Sequence, residues 1–170
     1  MENSKEKILE KAFELGQKYF KKCSNCSQCS IAAIFEALGI WSDDVFKSAS
    51  GLADGLGLTR DGACGALVGS SMAISYIFGR EYKDFSDVFK PFKSYELVRE
   101  LHDQYVDQYG TCRCEDVQKS LMGKTFNLWD TNELAEAMSP GGLLDHCPEL
   151  VGTVAKLATK IILDNGFIPK

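Results

Sequence analysis

The chain has 170 residues, 45% of them apolar and 25% charged, the balance of one soluble globular domain rather than two. Nineteen Lys and Arg against 24 Asp and Glu leave a formal charge of −5 with no basic block, which argues against a nucleic-acid surface. The longest mostly apolar stretch, residues 66–79, falls short of the roughly 20 residues that cross a bilayer, so no membrane span is expected.

Residues 4–21 carry Ile8, Leu9, Ala12, Phe13, Gly16, Tyr19 and Phe20 at helical spacing. A second helix starts at Ser24 or Asn25, either a good N-cap, and ends at Leu38 before Gly39. It has two apolar faces: Ile31, Ile34, Phe35 and Leu38 form the large one, and Cys26, Cys29, Ala33 and Ala37 a small-residue one. Such a helix belongs in the interior. Residues 42–50 read as a short helix capped by Ser42. A Gly-rich loop at 51–62 follows, without the Lys-Ser/Thr ending of a phosphate loop.

A nearly charge-free helix then runs from Asp61 or Gly62 to Phe78. Gly65, Gly69 and Ala73 recur on it every four residues, so a neighbouring helix or a bulky ligand can approach its backbone. The pattern is helical again from Ser86. Pro91 breaks or kinks it, and Tyr95, Val98, Leu101, His102, Tyr105 and Tyr109 continue as one stripe. Thr111 caps a short helix ending at Leu121. Residues 122–142 form a long polar connection with a brief helix over 131–138, and the last helix begins at Cys147-Pro148 and runs to Leu163. No segment alternates as a strand. The expectation is all-α: a compact helical bundle of five to seven helices, one domain spanning 1–170.

The amino terminus, MENSKEKILEK, is charged from the start and lacks a signal-peptide pattern, so a cytoplasmic protein is expected. In a reducing compartment, seven cysteines more often bind metal or carry redox chemistry than form standing disulfides. They fall in four groups: Cys23, Cys26 and Cys29; Cys64; Cys112 and Cys114; and Cys147. Each group places a cysteine in the opening turn of an expected helix. There, unpaired N–H groups and a partial positive charge favour thiolate over thiol. The set Cys26, Cys64, Cys112 and Cys147 therefore reads as functional. Cys114 competes with Cys112 at one helix start, Cys29 reads as a small core hydrophobe, and Cys23 as an exposed spectator.

Motif tests narrow the chemistry. Cys23-x-x-Cys26-x-x-Cys29 imitates the start of a bacterial ferredoxin run, but no Cys-Pro follows three residues later. Ser27 and Ser30 stand where a c-type haem motif needs His, which excludes covalent haem. His102 and His146 are the only histidines, too few for a His-rich zinc or copper site. His102 lies on an apolar stripe and reads as a hydrogen-bonded core histidine.

Asn25-Cys26-Ser27-Gln28, the glycine-rich loop, Cys64-Gly65-Ala66-Leu67-Val68-Gly69, then Cys112 and a late Cys147 resemble the C_GCAxxG_C_C family, described as redox-active. The resemblance covers residues 20–165, with Ala63 rather than Gly before Cys64 and the Ala66-x-x-Gly69 spacing kept. The family is also similar to the non-haem part of split-Soret cytochrome c. What the resemblance implies is a helical homodimer that holds an iron–sulfur cluster on Cys26, Cys64, Cys112 and Cys147 and serves electron transfer or redox sensing with an unidentified redox partner protein. Cys23, Cys29 and Cys114 go beyond that pattern and are further candidate ligands. Two other readings stand beside it. One is metal-free thiol–disulfide chemistry with Cys26 as nucleophile and Cys29 or Cys23 resolving; the other is a structural zinc module.

Overall fold

A computed structural model describes residues 2–169. Among the described residues there are eight α-helices and no strand, so the all-α expectation holds but the count exceeds five to seven. They are α1 (Glu2–Cys23), α2 (Cys26–Leu38), α3 (Asp43–Ser48), α4 (Gly65–Phe78), α5 (Phe92–Tyr109), α6 (Cys114–Met122), α7 (Thr131–Ala137) and α8 (Leu143–Asp164). None is long and apolar enough to cross a membrane.

Where local chemistry is strong, the helices begin as expected. Asn25 accepts the Gln28 N–H at the head of α2, Ser42 caps α3, and Gly39 closes α2 in the left-handed region at φ 71°. Four boundaries differ. Helix α4 begins at Gly65 with Cys64 as its N-cap rather than at Asp61 or Gly62, because residues 54–62 are held in the loop. Pro91 precedes α5 as its N-cap rather than kinking it, since its fixed φ suits a helix start. Helix α6 begins at Cys114 with Arg113 as cap; Thr111 instead accepts the Arg113 N–H within the preceding turn. Helix α8 begins one turn before Cys147, at Leu143, and carries Pro148 inside it. Leu143 is buried against Phe126 and Ala137, and that satellite core draws the helix start upstream of the proline.

Two glycine-mediated crossings hold the bundle. A Cβ on Gly16 of α1 would lie 2.8 Å from the Cα of Gly152 on α8, so these two helices meet backbone to backbone. A Cβ on Gly69 of α4 would lie 2.2 Å from the carbonyl oxygen of Ser27 on α2. The core around these crossings is fully buried Phe35, Ile31, Ile34, Leu38, Ile74, Leu97, Leu101, Tyr105, Val151 and Val154. Thus α2 is interior, as its two apolar faces require.

The Gly-rich loop has an unusual backbone. Asp54, Gly55, Leu56, Gly57 and Leu58 run consecutively in the left-handed region, and Arg60 joins them. For a non-glycine residue this costs about 1–2 kcal/mol. Hydrogen bonds from Leu58 N to the Ala53 oxygen, Arg60 N to the Asp54 oxygen and Gly62 N to the Gly55 oxygen offset part of that cost. Arg113 ties the end of the loop to the head of α6 through Asp61 at 2.8 Å and Glu115 at 2.9 Å. Strain of this kind persists where the surroundings over-determine it, and here the loop places Asp54 among the cysteines.

Candidate functional site

The α2–α4 crossing is what brings the first two cysteines together. Cys26 opens α2 and Cys64 caps α4, and the glycine at 69 lets those helix heads approach. A Cβ at residue 65 would stand 2.3 Å from the Cys26 Sγ. The order Cys64-Gly65 is therefore a steric requirement: the sulfur occupies the space a side chain would take. A short antiparallel bridge between Ala63 and Arg113 then joins the third segment. Cys64 N donates to the Cys112 carbonyl at 2.8 Å, and Cys114 N to the Gly62 carbonyl at 2.9 Å.

Cys26, Cys64, Cys114 and Cys147 line one cavity of about 40 Å³, together with Asp54, Gln118 and an apolar wall that includes Phe20, Leu143 and Val151. By the same measure one water takes roughly 10–15 Å³. Each sulfur comes from a different helix: α2, the cap of α4, α6 and α8. Cys112 is not among the lining residues; its side chain packs against the main core. Cys23 and Cys29 line a separate surface groove of about 340 Å³ with Tyr19, Trp41 and Phe46. Cys29 is buried and Cys23 exposed. His102 is half-exposed on another groove and pairs with Asp103 at 3.0 Å, so it is not a core histidine.

Polar groups organise the cavity. Asp54 Oδ1 accepts from Gln118 Nε2 at 2.6 Å and lies 3.3 Å from the Cys114 sulfur, while Asp54 N donates to the Cys26 sulfur at 3.5 Å. Asp54 Oδ2 and Gln118 Oε1 are buried and have no partner. Burial pushes the Asp54 carboxyl above the usual carboxylate range. Asp54, Gln118 and Tyr105 carried no signal of their own in the sequence. Cys114 and Gln118 lie four apart on α6, however, and Asp54 immediately precedes the Gly55/Gly57 pair that permits its left-handed turn.

The four thiols differ in character. Cys64 is held down at about 7, because the Cys114 thiol, the Tyr105 hydroxyl and the N–H groups of Ala66 and Leu67 at the head of α4 all favour its thiolate, against burial. Burial and the neighbouring Cys64 charge push Cys26 up to about 12. Cys114 is raised by its hydrogen bond toward Cys64 and by burial, and Cys147 by burial. The surroundings thus favour the charged form at Cys64 and not at Cys26, where desolvation outweighs the position at a helix start.

A titration of thiolate absorbance in reduced, metal-free protein should show one transition near pH 7 that Cys64→Ser removes and Cys26→Ser leaves. Persistence of that transition in Cys64→Ser would assign it elsewhere. A thiol with a folded value below its usual 8.5 contributes stability that is complete above the unfolded value and is lost as pH falls through about 7.

Among the described residues, no group of three or more His, Cys, Asp or Glu side chains stands at metal-ligating geometry. What the fold supplies is a donor set: four sulfurs and two unpartnered oxygens facing one cavity. Four helices thus bring cysteines together at one site of an all-α protein, and the comparisons identify its family. The family model C_GCAxxG_C_C, "putative redox-active protein", matches residues 24–161, and the chain belongs to that family. No curated protein and no solved structure matches the chain significantly.

Proposed function

We propose that the protein is an electron carrier or redox sensor in which Cys26, Cys64, Cys114 and Cys147 hold an iron–sulfur cluster. The observation that carries this reading is their convergence on one cavity from four helices. The donor set fits the group: four cysteine sulfurs on one cavity are the ligand number that a two-iron or four-iron cluster takes. When bound, the cluster supplies one-electron chemistry at cysteine-ligated iron.

The chain's own residues set the conditions for that chemistry. Cys114 replaces Cys112 in the ligand set that the family resemblance implies, because Cys114 lines the cavity while Cys112 packs against the core. Gln118 orients Asp54, and the N–H groups of Ala66 and Leu67 favour negative charge on the Cys64 sulfur. Phe20, Leu143 and Val151 keep the apolar side of the cavity dry.

A second reading draws on the same thiols. The lowered value of Cys64, with Cys114 beside it, suits thiol–disulfide exchange in a metal-free protein, with Cys64 attacking.

Anaerobic purification followed by a visible spectrum and analysis of iron, acid-labile sulfide and zinc on one sample tests these readings. Brown protein with matched iron and sulfide is the expected result. Colourless protein holding zinc would make the site structural, and colourless protein that also resists reconstitution would leave exchange at Cys64.

A further inference from the structure

The cysteine cavity leaves two thiols outside it that share a second opening. Four of the seven cysteines line the cavity and Cys112 packs against the core. Cys23 and Cys29 remain, and both face the groove of about 340 Å³ bounded by α1, α2 and α3. Cys23 is the last residue of α1 and is exposed, whereas Cys29 lies one turn into α2 and is only 2% exposed. Residues 24 and 25 alone separate the two helices, with Ser24 in the left-handed region at φ 53°. One thiol thus stands at the mouth of the groove and the other at its floor.

Hydrogen bonds hold the walls of this groove. The Tyr19 hydroxyl on α1 donates to the Glu36 carboxylate on α2, and Lys11 Nζ donates to the Glu36 carbonyl at 2.9 Å. Gln28 Nε2 ties α2 to α3 through the Phe46 carbonyl at 3.0 Å and the Ser50 hydroxyl at 2.8 Å. The rings of Trp41 and Phe46 lie 5.4 Å apart on the far wall. An opening of this volume takes a small molecule, at the lower end of the range for ligand pockets. The two thiols also feel each other. Burial pushes Cys29 up to about 12 and negative charge on Cys23 adds to the rise, while the Asn25 N–H favours the Cys29 thiolate.

We propose that Cys23 and Cys29 form a second redox site, a dithiol that exchanges with low-molecular-weight disulfides entering this groove. The exposed Cys23 thiolate attacks one sulfur of the incoming disulfide. A mixed disulfide forms as the old S–S bond breaks, and one half of the small molecule leaves as a thiolate. Cys29 then gives up its proton, attacks the Cys23 sulfur and expels the second half, closing a Cys23–Cys29 bond. Two electrons pass from the dithiol to the small disulfide, which departs as two thiols once its thiolates take up protons. Forming the mixed disulfide removes the Cys23 charge that helps to hold Cys29 protonated, so the first step eases the second. Neither step uses a sulfur of the cysteine cavity, and the site therefore operates whatever that cavity holds.

The test is to incubate the full chain, purified anaerobically, with glutathione disulfide, then quench in acid, alkylate and digest with trypsin. Cleavage after Lys22 and Lys47 frees Cys23, Cys26 and Cys29 on one peptide. That peptide should lose two thiol hydrogens to an internal bond and carry a single alkyl group. Cys23→Ser, at an exposed position, should form no bond within the peptide, and Cys29→Ala should stop with one glutathione on Cys23. Trp41 lines the groove and Trp129 does not, so emission should fall on oxidation in Trp129→Phe and stay constant in Trp41→Phe. A bond that survives Cys23→Ser or Cys29→Ala would involve Cys26 and overturn the proposal. Wild-type protein that stays reduced, or that keeps glutathione on Cys23 without closing the bond, would overturn it as well. Any iron and sulfide in the sample should be unchanged by the oxidation; their loss in step with the bond would move the reacting thiols to the cavity.

Discussion

Replacing Gly69 by Ala is expected to destabilise the protein by about 3 kcal/mol or more, a loss readable as a lowered denaturant midpoint. The added Cβ would lie 2.2 Å from the Ser27 carbonyl oxygen and within 2.8 Å of its carbonyl carbon and Cα. All three are backbone atoms in the middle of a buried crossing, so no side-chain rotation relieves the clash; α2 and α4 must separate. Their separation also moves Cys26 from Cys64, and metal binding should fall with stability. Gly51→Ala is the matched control, since a Cβ there meets nothing within 4 Å and the backbone is not left-handed. It should change stability by no more than about 0.5 kcal/mol. Equal midpoints for the two variants would show that the crossing is looser than the structure has it.

Cys64→Ser should abolish visible absorbance and bound iron after anaerobic reconstitution, a fall in metal affinity of at least roughly a hundredfold. Cys29→Ser should keep most of both, because Cys29 faces a different groove. The sharper comparison is within the Cys112-Arg113-Cys114 segment. Cys114→Ser should lose iron as Cys64→Ser does, whereas Cys112→Ser should retain it, since the contribution of Cys112 to the site is its carbonyl, which accepts the Cys64 N–H. Iron and sulfide analysis with the visible spectrum reads all four variants. Loss in Cys112→Ser with retention in Cys114→Ser would return the ligand set to the one the family resemblance implies.

Much of this architecture was legible from the order of residues alone, because the signals are local. Asn25 and Ser42 cap helices by side-chain hydrogen bonds within three residues, and Gly39 closes α2; of the stripe on α5, Leu101 and Tyr105 are buried as read, while Tyr95 and His102 are not. The family, too, was readable, because its motif is a spacing of cysteines and glycines along the chain. The start of α8 was misread, since Pro148 is a good first helical residue locally, while the packing of Leu143 against Phe126 and Ala137 outweighs that preference.

What the sequence determined by itself is thus the class of fold, the family and the residue types available for chemistry. Tertiary structure alone decided how they are used. It selects Cys114 over Cys112 for the cavity lining, since Cys114 opens α6 and packs beside Asp54 and Gln118 there. It makes Cys64 the acidic thiol and Cys26 the reluctant one, because desolvation and neighbouring donors depend on burial and approach across helices rather than on position in a helix. It also recruits Asp54 through a run of left-handed residues whose cost only contacts distant in the chain can offset.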